Sequence, residues 1–143
     1  VRRGAFVSLH AHGALRGCVG RVAGDRPVAE AVRAMTLAAA CDDPRFPPVT
    51  RGELLHLRLE IAVLSVPVAL MPADPHRVLV GRDGLVIRRG ATSGVLLPQV
   101  AAAARWSAEH FLVAACRKAG LAAGAWRDPE TEVLAFQADV FAE

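Results

Sequence analysis

The stretch Ala5-Phe6-Val7-Ser8-Leu9-His10-Ala11-His12-Gly13-Ala14-Leu15-Arg16-Gly17-Cys18-Val19-Gly20 decides the fold. On both sides of His12-Gly13 apolar and polar residues alternate with the period of a strand. Gly13 can take the positive φ that a tight turn demands. The stretch therefore reads as a β-hairpin in which Ala5–His10 returns through Ala14–Val22. A two-residue turn would pair Val7 with Cys18 and Leu9 with Arg16. It would also place His10 on the sheet face opposite Cys18.

Downstream of the hairpin, Asp25 is suited to a helix N-cap and Pro27 to a first turn. Val28, Ala31, Val32, Met35, Ala38 and Ala39 then recur at helical spacing, and Asp43-Pro44 ends the helix near Cys41 because the residue before a proline avoids the α region. Thr50-Arg51-Gly52-Glu53 has the form of a capping box and predicts a short helix. Leu57, Leu59, Ile61 and Val63 alternate with Arg58, Glu60, Ala62 and Leu64, the clearest strand in the chain. Gly84–Arg89 and Gly94–Leu97 predict a second hairpin. Pro98 opens a helix through Ala104. Ser107 caps another, with Phe111, Leu112, Ala115 and Cys116 on its inner face and Gly120 just past its end. Val133–Phe141 reads as one closing strand carrying Leu134, Phe136, Ala138 and Val140 on one face. Hairpins and helices in irregular order predict an α+β fold with antiparallel sheets, not βαβ repeats.

Composition narrows the function classes. At 143 residues the chain has the length of one domain. No apolar run reaches the roughly 18 residues of a membrane span. The net charge is +3, yet Arg is scattered and aromatics are only 5% of the chain, so the basic stripe interleaved with aromatics that nucleic-acid binding needs is not expected. Three cysteines without a C-x-x-C pair fit a reducing, cytoplasmic setting better than a disulfide framework. The histidines lack ligand spacing, and no phosphate-cradling glycine motif stands between a strand and a helix. Neither a metal nor a nucleotide cofactor is expected. Val1 is not an initiator Met, which reads as a piece of a longer chain.

Leu15-Arg16-Gly17-Cys18-Val19-Gly20 resembles the signature hexapeptide of the AMMECR family (AmmeMemoRadiSam system protein A). Further motifs follow in order: Asp43-Pro44-Arg45-Phe46-Pro47-Pro48, Glu60-Ile61-Ala62-Val63-Leu64-Ser65, Gly94-Val95-Leu96-Leu97-Pro98-Gln99-Val100, Phe111-Leu112, Cys116-Arg117-Lys118-Ala119-Gly120-Leu121 and Trp126. The resemblance runs from about Gly4 to Phe141, so residues 1–143 are expected to be a single AMMECR domain. It implies two subdomains of unequal size facing a cleft, and a family helical segment before Gly4 that this chain lacks. It also implies partners, a Memo-like protein and a radical SAM enzyme, and no assigned reaction.

Cys18 is the sharpest candidate residue. On a regular strand it shares a face with Arg16, whose charge would favour the thiolate, while Gly17 and Gly20 would let a ligand come close. The alternative is that Cys18 is a small buried hydrophobe. Glu60, mid-strand, calls for a partner, which Arg16 or Arg45 could supply; it is an acid–base group, half of a structural ion pair, or a solvent-facing residue alongside Arg58. Arg45 in its proline-rich loop could bind an anion or pack around Phe46. Gln99, at a helix start, could hold an anionic group or make a helix-terminal hydrogen bond. Cys41 and Cys116 are expected in the core. The expected site thus has Cys18, Arg16 and Glu60 as catalytic residues and Gly17, Gly20, Arg45 and Gln99 binding ligand. Two functions remain open: small-ligand handling at Cys18, and a non-catalytic subunit that docks the Memo-like or radical SAM partner.

Overall fold

The structure, a computed structural model, describes residues 1–142. Its strands are β1 (Ala5–Ala11), β2 (Ala14–Arg21), β3 (Leu57–Leu64), β4 (Val68–Ala69), β5 (Gly84–Arg89), β6 (Thr92–Leu96), β7 (Glu132–Phe136) and β8 (Ala138–Ala142). Its α-helices are α1 (Val28–Cys41), α2 (Pro98–Ala104) and α3 (Ala108–Lys118), and short 3₁₀ turns include Arg51–His56. Two four-stranded sheets result, ordered β2-β1-β3-β8 and β4-β7-β5-β6. The assigned strand pairs are antiparallel, as the irregular order of elements predicts. The chain divides into two compact units, Val1–Val66 with the terminal stretch from Asp139, and Pro67–Ala138. Among the described residues no helix is long and apolar enough to cross a membrane.

In the first unit the hairpin forms where the alternation places it. His12 (φ 52°) and Gly13 (φ 79°) both lie in the left-handed region, as a two-residue turn matched to the twist of its strands requires. The register departs from the expected one. The pairing shifts between Leu9 and His10: Leu9 faces Gly17 and His10 faces Leu15, so Arg16 is an extra, bulged residue on β2. Beyond it Val7 pairs with Val19 and Ser8 with Cys18. A one-residue slip moves side chains to the other face, so Cys18 lies on the face of Ser8 and His10, not opposite His10. On the other face Val7, Leu9 and Ala39 form a core with Val19, Val32, Met35, Leu59 and Ile61 packed against it. Each fully buried aliphatic side chain there contributes roughly 1.5–3 kcal/mol.

α1 runs to Cys41 as expected, but its N-cap is Pro27; Asp25 instead pairs with Arg21 and Arg26. Cys41, expected in the core, is exposed at the helix's last residue. The capping box is present at Thr50, and Glu53 reaches back to the Thr50 N–H (3.4 Å) and hydroxyl (3.3 Å).

In the second unit the Ser107 hydroxyl accepts from the His110 N–H at 3.1 Å. Phe111, Leu112, Ala115 and Cys116 are all fully buried, and Gly120 has φ 80°, each as expected. The closing strand differs. It breaks at Gln137, so that β7 belongs to one sheet and β8 to the other.

Candidate functional site

β2 is an edge strand, and its outer backbone row at Cys18 is engaged by the loop that follows α1. The Cys18 N–H donates to Asp43 Oδ2 (3.0 Å) and its carbonyl accepts from Arg45 Nη2 (3.4 Å). Asp43 also accepts from Arg45 Nη2 (2.8 Å), Arg45 Nε (3.1 Å) and the Arg45 backbone N–H (3.0 Å). The last bond is an Asx turn, the local geometry an Asp before Pro favours. The Asp43 side chain is only 3% exposed while that of Arg45 is 57% exposed. Hydrogen bonding from Arg45 holds the Asp43 carboxyl well below the usual carboxylate range, against burial, with help from the Cys18 and Arg45 N–H groups. Arg45 is correspondingly held further in its charged form, chiefly by Asp43 and, as a lesser cause, by charge on the Cys18 sulfur. Cys18 thus sits between the fixed ends of one ion pair.

Arg16, bulged out of the ladder, takes a different partner. Its Nε and Nη2 donate to the two carboxylate oxygens of Glu53 at 2.8 and 3.2 Å, a two-pronged bond, and Nη2 also reaches the Pro48 carbonyl at 3.4 Å. Among the described residues Arg16 Nη1 is enclosed with no hydrogen-bond partner. Hydrogen bonding from Arg16 in turn lowers the Glu53 pKa. The Arg16 and Arg45 guanidinium carbons lie 6.0 and 5.4 Å from the centroid of the Phe46 ring, within cation–π range. The cation at Cys18 is therefore Arg45 and not the expected Arg16, and Arg16 pairs with Glu53 and not with the expected Glu60.

On the face of the sheet away from α1, Cys18, Ser8 and Glu60 stand in one row across β2, β1 and β3. The Ser8 hydroxyl donates to the Cys18 sulfur at 3.3 Å. Cys18 is half-buried. Among the described residues nothing engages the Glu60 carboxylate. Neither Arg16 nor Arg45 is its partner, because the bulge and the loop commit both to Glu53 and Asp43.

The motif glycines have a packing reason. A Cβ on Gly17 would sit 2.2 Å from the Ala39 carbonyl oxygen of α1, and one on Gly20 would sit 2.1 Å from the Phe6 ring. The open space that these glycines were expected to offer a ligand is filled by the protein's own atoms. Gln99 lies in the second unit, exposed near the start of the seven-residue α2. Among the described residues no three metal-ligating side chains converge to hold an ion.

Sequence reasoning missed Ser8, Asp43 and Glu53 as site residues. Asp43 and Glu53 were legible as a helix-ending Asp-Pro and as a capping-box residue. Their long-range partners, Cys18 and Arg16, were not, and Ser8 joins the site only through the shifted register.

Two antiparallel sheets with flanking helices, and a hairpin edge held through a Gly-Cys step by an Asp–Arg pair, define an α+β class of protein. The chain belongs to the AMMECR1 family, whose model matches residues 1–141. A protein of Methanothermobacter thermautotrophicus is 47% identical over 146 residues, spanning 99% of this chain and 76% of its own length. One of Thermococcus kodakarensis is 44% identical over 150 residues, 99% of this chain and 73% of its own. The crystal structure of the uncharacterized protein PH0010 from Pyrococcus horikoshii superposes with a TM-score of 0.94 at 41% identity, covering 99% of this chain and 74% of that one.

Proposed function

We propose that the protein handles a small ligand at Cys18, working in the cytoplasm with the Memo-like and radical SAM partners that the family resemblance implies. The observation that carries this reading is the way the thiol is presented. Its N–H, its carbonyl and its sulfur are each engaged by a different group, Asp43, Arg45 and Ser8, yet the residue is half-buried and not sealed. A merely structural cysteine resembles Cys116, which is fully buried and whose thiol burial pushes to higher pKa. Reactive groups work best when held in place by supporting contacts, and here those contacts come from the row Cys18–Ser8–Glu60 and the loop carrying Asp43 and Arg45.

A second reading, a docking subunit, is favoured by Leu54 and Leu55, 60% and 92% exposed on the 3₁₀ turn beside the hairpin. One experiment separates the two. Cells carrying Cys18→Ser, Leu54→Ser/Leu55→Ser or the wild type are compared by untargeted metabolite analysis and by recovery of the partner proteins. Ligand handling predicts that Cys18→Ser changes at least one metabolite while partner recovery stays intact. An unchanged metabolite profile with Cys18→Ser, together with lost recovery in the leucine variant, sinks the first reading and establishes the second.

A further inference from the structure

The register shift has another result, away from the thiol. His10 pairs directly with Arg58 across β1 and β3, one row nearer the hairpin turn than Ser8 and Glu60, on the same face. His12 in the turn and His56 at the end of the 3₁₀ turn bring their rings to 5.2 Å between centroids. These four side chains line a cavity of about 660 Å³, completed by Gly13, Leu55 and Leu57. Three imidazoles and a guanidinium therefore meet in one concave space, all within the first unit.

The charge balance of this space is one-sided. Among the described residues no carboxylate lines it, and Asp139 on β8, the neighbour of β3, pairs with Arg3. Among the described residues the Arg58 side chain makes no ion pair or hydrogen bond. On β3 the next charged group is Glu60, which faces Ser8 in the adjoining row with Cys18 beyond it. On the 3₁₀ turn Glu53 is committed to Arg16, and Arg51 adds only positive charge. The remaining groups facing the cavity from β1 and the turn are His10 and His12. His12 also occupies a positive-φ position that Asn or Gly fills with less strain.

We infer that His10, His12, His56 and Arg58 form a binding site for the phosphate group of a small phosphomonoester, distinct from the Cys18 site and independent of it. Imidazole N–H groups and a guanidinium fork are charge-assisted donors to oxyanions. Coming from two strands, a turn and a 3₁₀ turn, they suit a tetrahedral group with several acceptor oxygens better than a flat carboxylate. The cavity exceeds what a phosphate fills, and Leu55 offers a wall for the organic remainder. Protonation gives an imidazole a charge and a second donor, so binding strengthens on acidification from about pH 8 to about pH 5.

Sulfate, a dianion throughout that range, is the first probe, and glycerol 3-phosphate the second. Each is titrated into the folded protein against chloride at matched ionic strength, and the histidine side-chain resonances are followed at about pH 6 and about pH 8. The expected result is a saturable, joint shift of His10, His12 and His56. Affinity should be about tenfold higher at the lower pH, and His56→Gln and Arg58→Gln, both at exposed positions, should each lower it about tenfold. Cys18→Ser should leave it unchanged, which keeps failure of this site distinguishable from failure at the thiol. Absence of saturation at the lower pH, wild-type affinity in both exposed variants, or loss of binding in Cys18→Ser would each overturn the assignment. So would capture by phosphatidic acid vesicles without binding of glycerol 3-phosphate, since the source would then be a membrane.

Discussion

The two sheets pack their glycines in the same way and differ in what they do with the space around them. In the first unit Gly17 lies against the α1 backbone and Gly20 lies beneath Phe6, its direct cross-strand partner. In the second unit Gly94 lies against the α3 backbone, where a Cβ would come 2.6 Å from the Ala119 nitrogen, and Gly84 lies beneath Phe136, again the direct partner. Each sheet thus spends one glycine on a close helix and one on an aromatic lid. Glycines flanking a reactive-looking residue are therefore not in themselves the mark of a ligand site. What sets the first unit apart is polar. Its edge strand is gripped by Asp43 and Arg45, and its cysteine remains half-buried beside Ser8, whereas Cys116 of the second unit disappears into an apolar core.

The comparison can be broken most forcefully at the aromatic lids. Phe136 is fully buried and Phe6 only half-buried, so Phe136→Ala should cost about 3–5 kcal/mol and Phe6→Ala clearly less. Chemical denaturation measures both, and equal losses would show that the two lids are not graded by burial. Next are the close helices. Gly17→Ala and Gly94→Ala each push a methyl into fixed backbone, so both should cost near the top of the roughly 1–3 kcal/mol typical of overpacking. A thermal shift that is large for one and negligible for the other would end the parallel.

The smallest effect sharpens the difference between the units. Asp43→Asn should cost roughly 1–3 kcal/mol by weakening bonds to a buried acceptor, and it should alter the acid response. The folded-state pKa of Asp43 is depressed, so its stabilisation is complete above the ordinary Asp value of about 3.9 and fades as pH falls below that toward the folded value. Wild type should therefore lose stability more steeply than Asp43→Asn below about pH 4. Parallel acid curves would mean that the Asp43–Arg45 pair stabilises nothing.

Local chemistry was legible in the sequence. The hairpin, the capping box at Thr50, the inner face of α3 and the start of α2 at Pro98 all follow from short-range periodicity and turn residues. Three features escaped it. The bulge at Arg16 carries no glycine or other local signature, yet it moves Cys18 to a different face. At Gln137 the alternation of Leu134, Phe136, Ala138 and Val140 runs unbroken through the point where the chain changes sheet, so periodicity alone reads one strand where there are two. Cys41 was misplaced because alanines occupy much of α1, which blurs the distinction between its faces. Of the candidate site, Cys18 and Arg45 could be named in advance and are held together. Pairing between distant residues, Asp43 with Cys18 and Glu53 with Arg16, cannot be read from spacing.

The break at Gln137 also bears on synthesis. The ribosome makes β1, β2 and β3 before the second unit, but β8, the neighbour of β3, after it. Throughout translation of the second unit, the outer edge of β3 carries backbone groups without their final partner, the condition in which strands recruit foreign ones. The first unit is thus begun before the second and finished after it, and a nascent protein stalled before Ala138 would expose a strand edge that β8 covers.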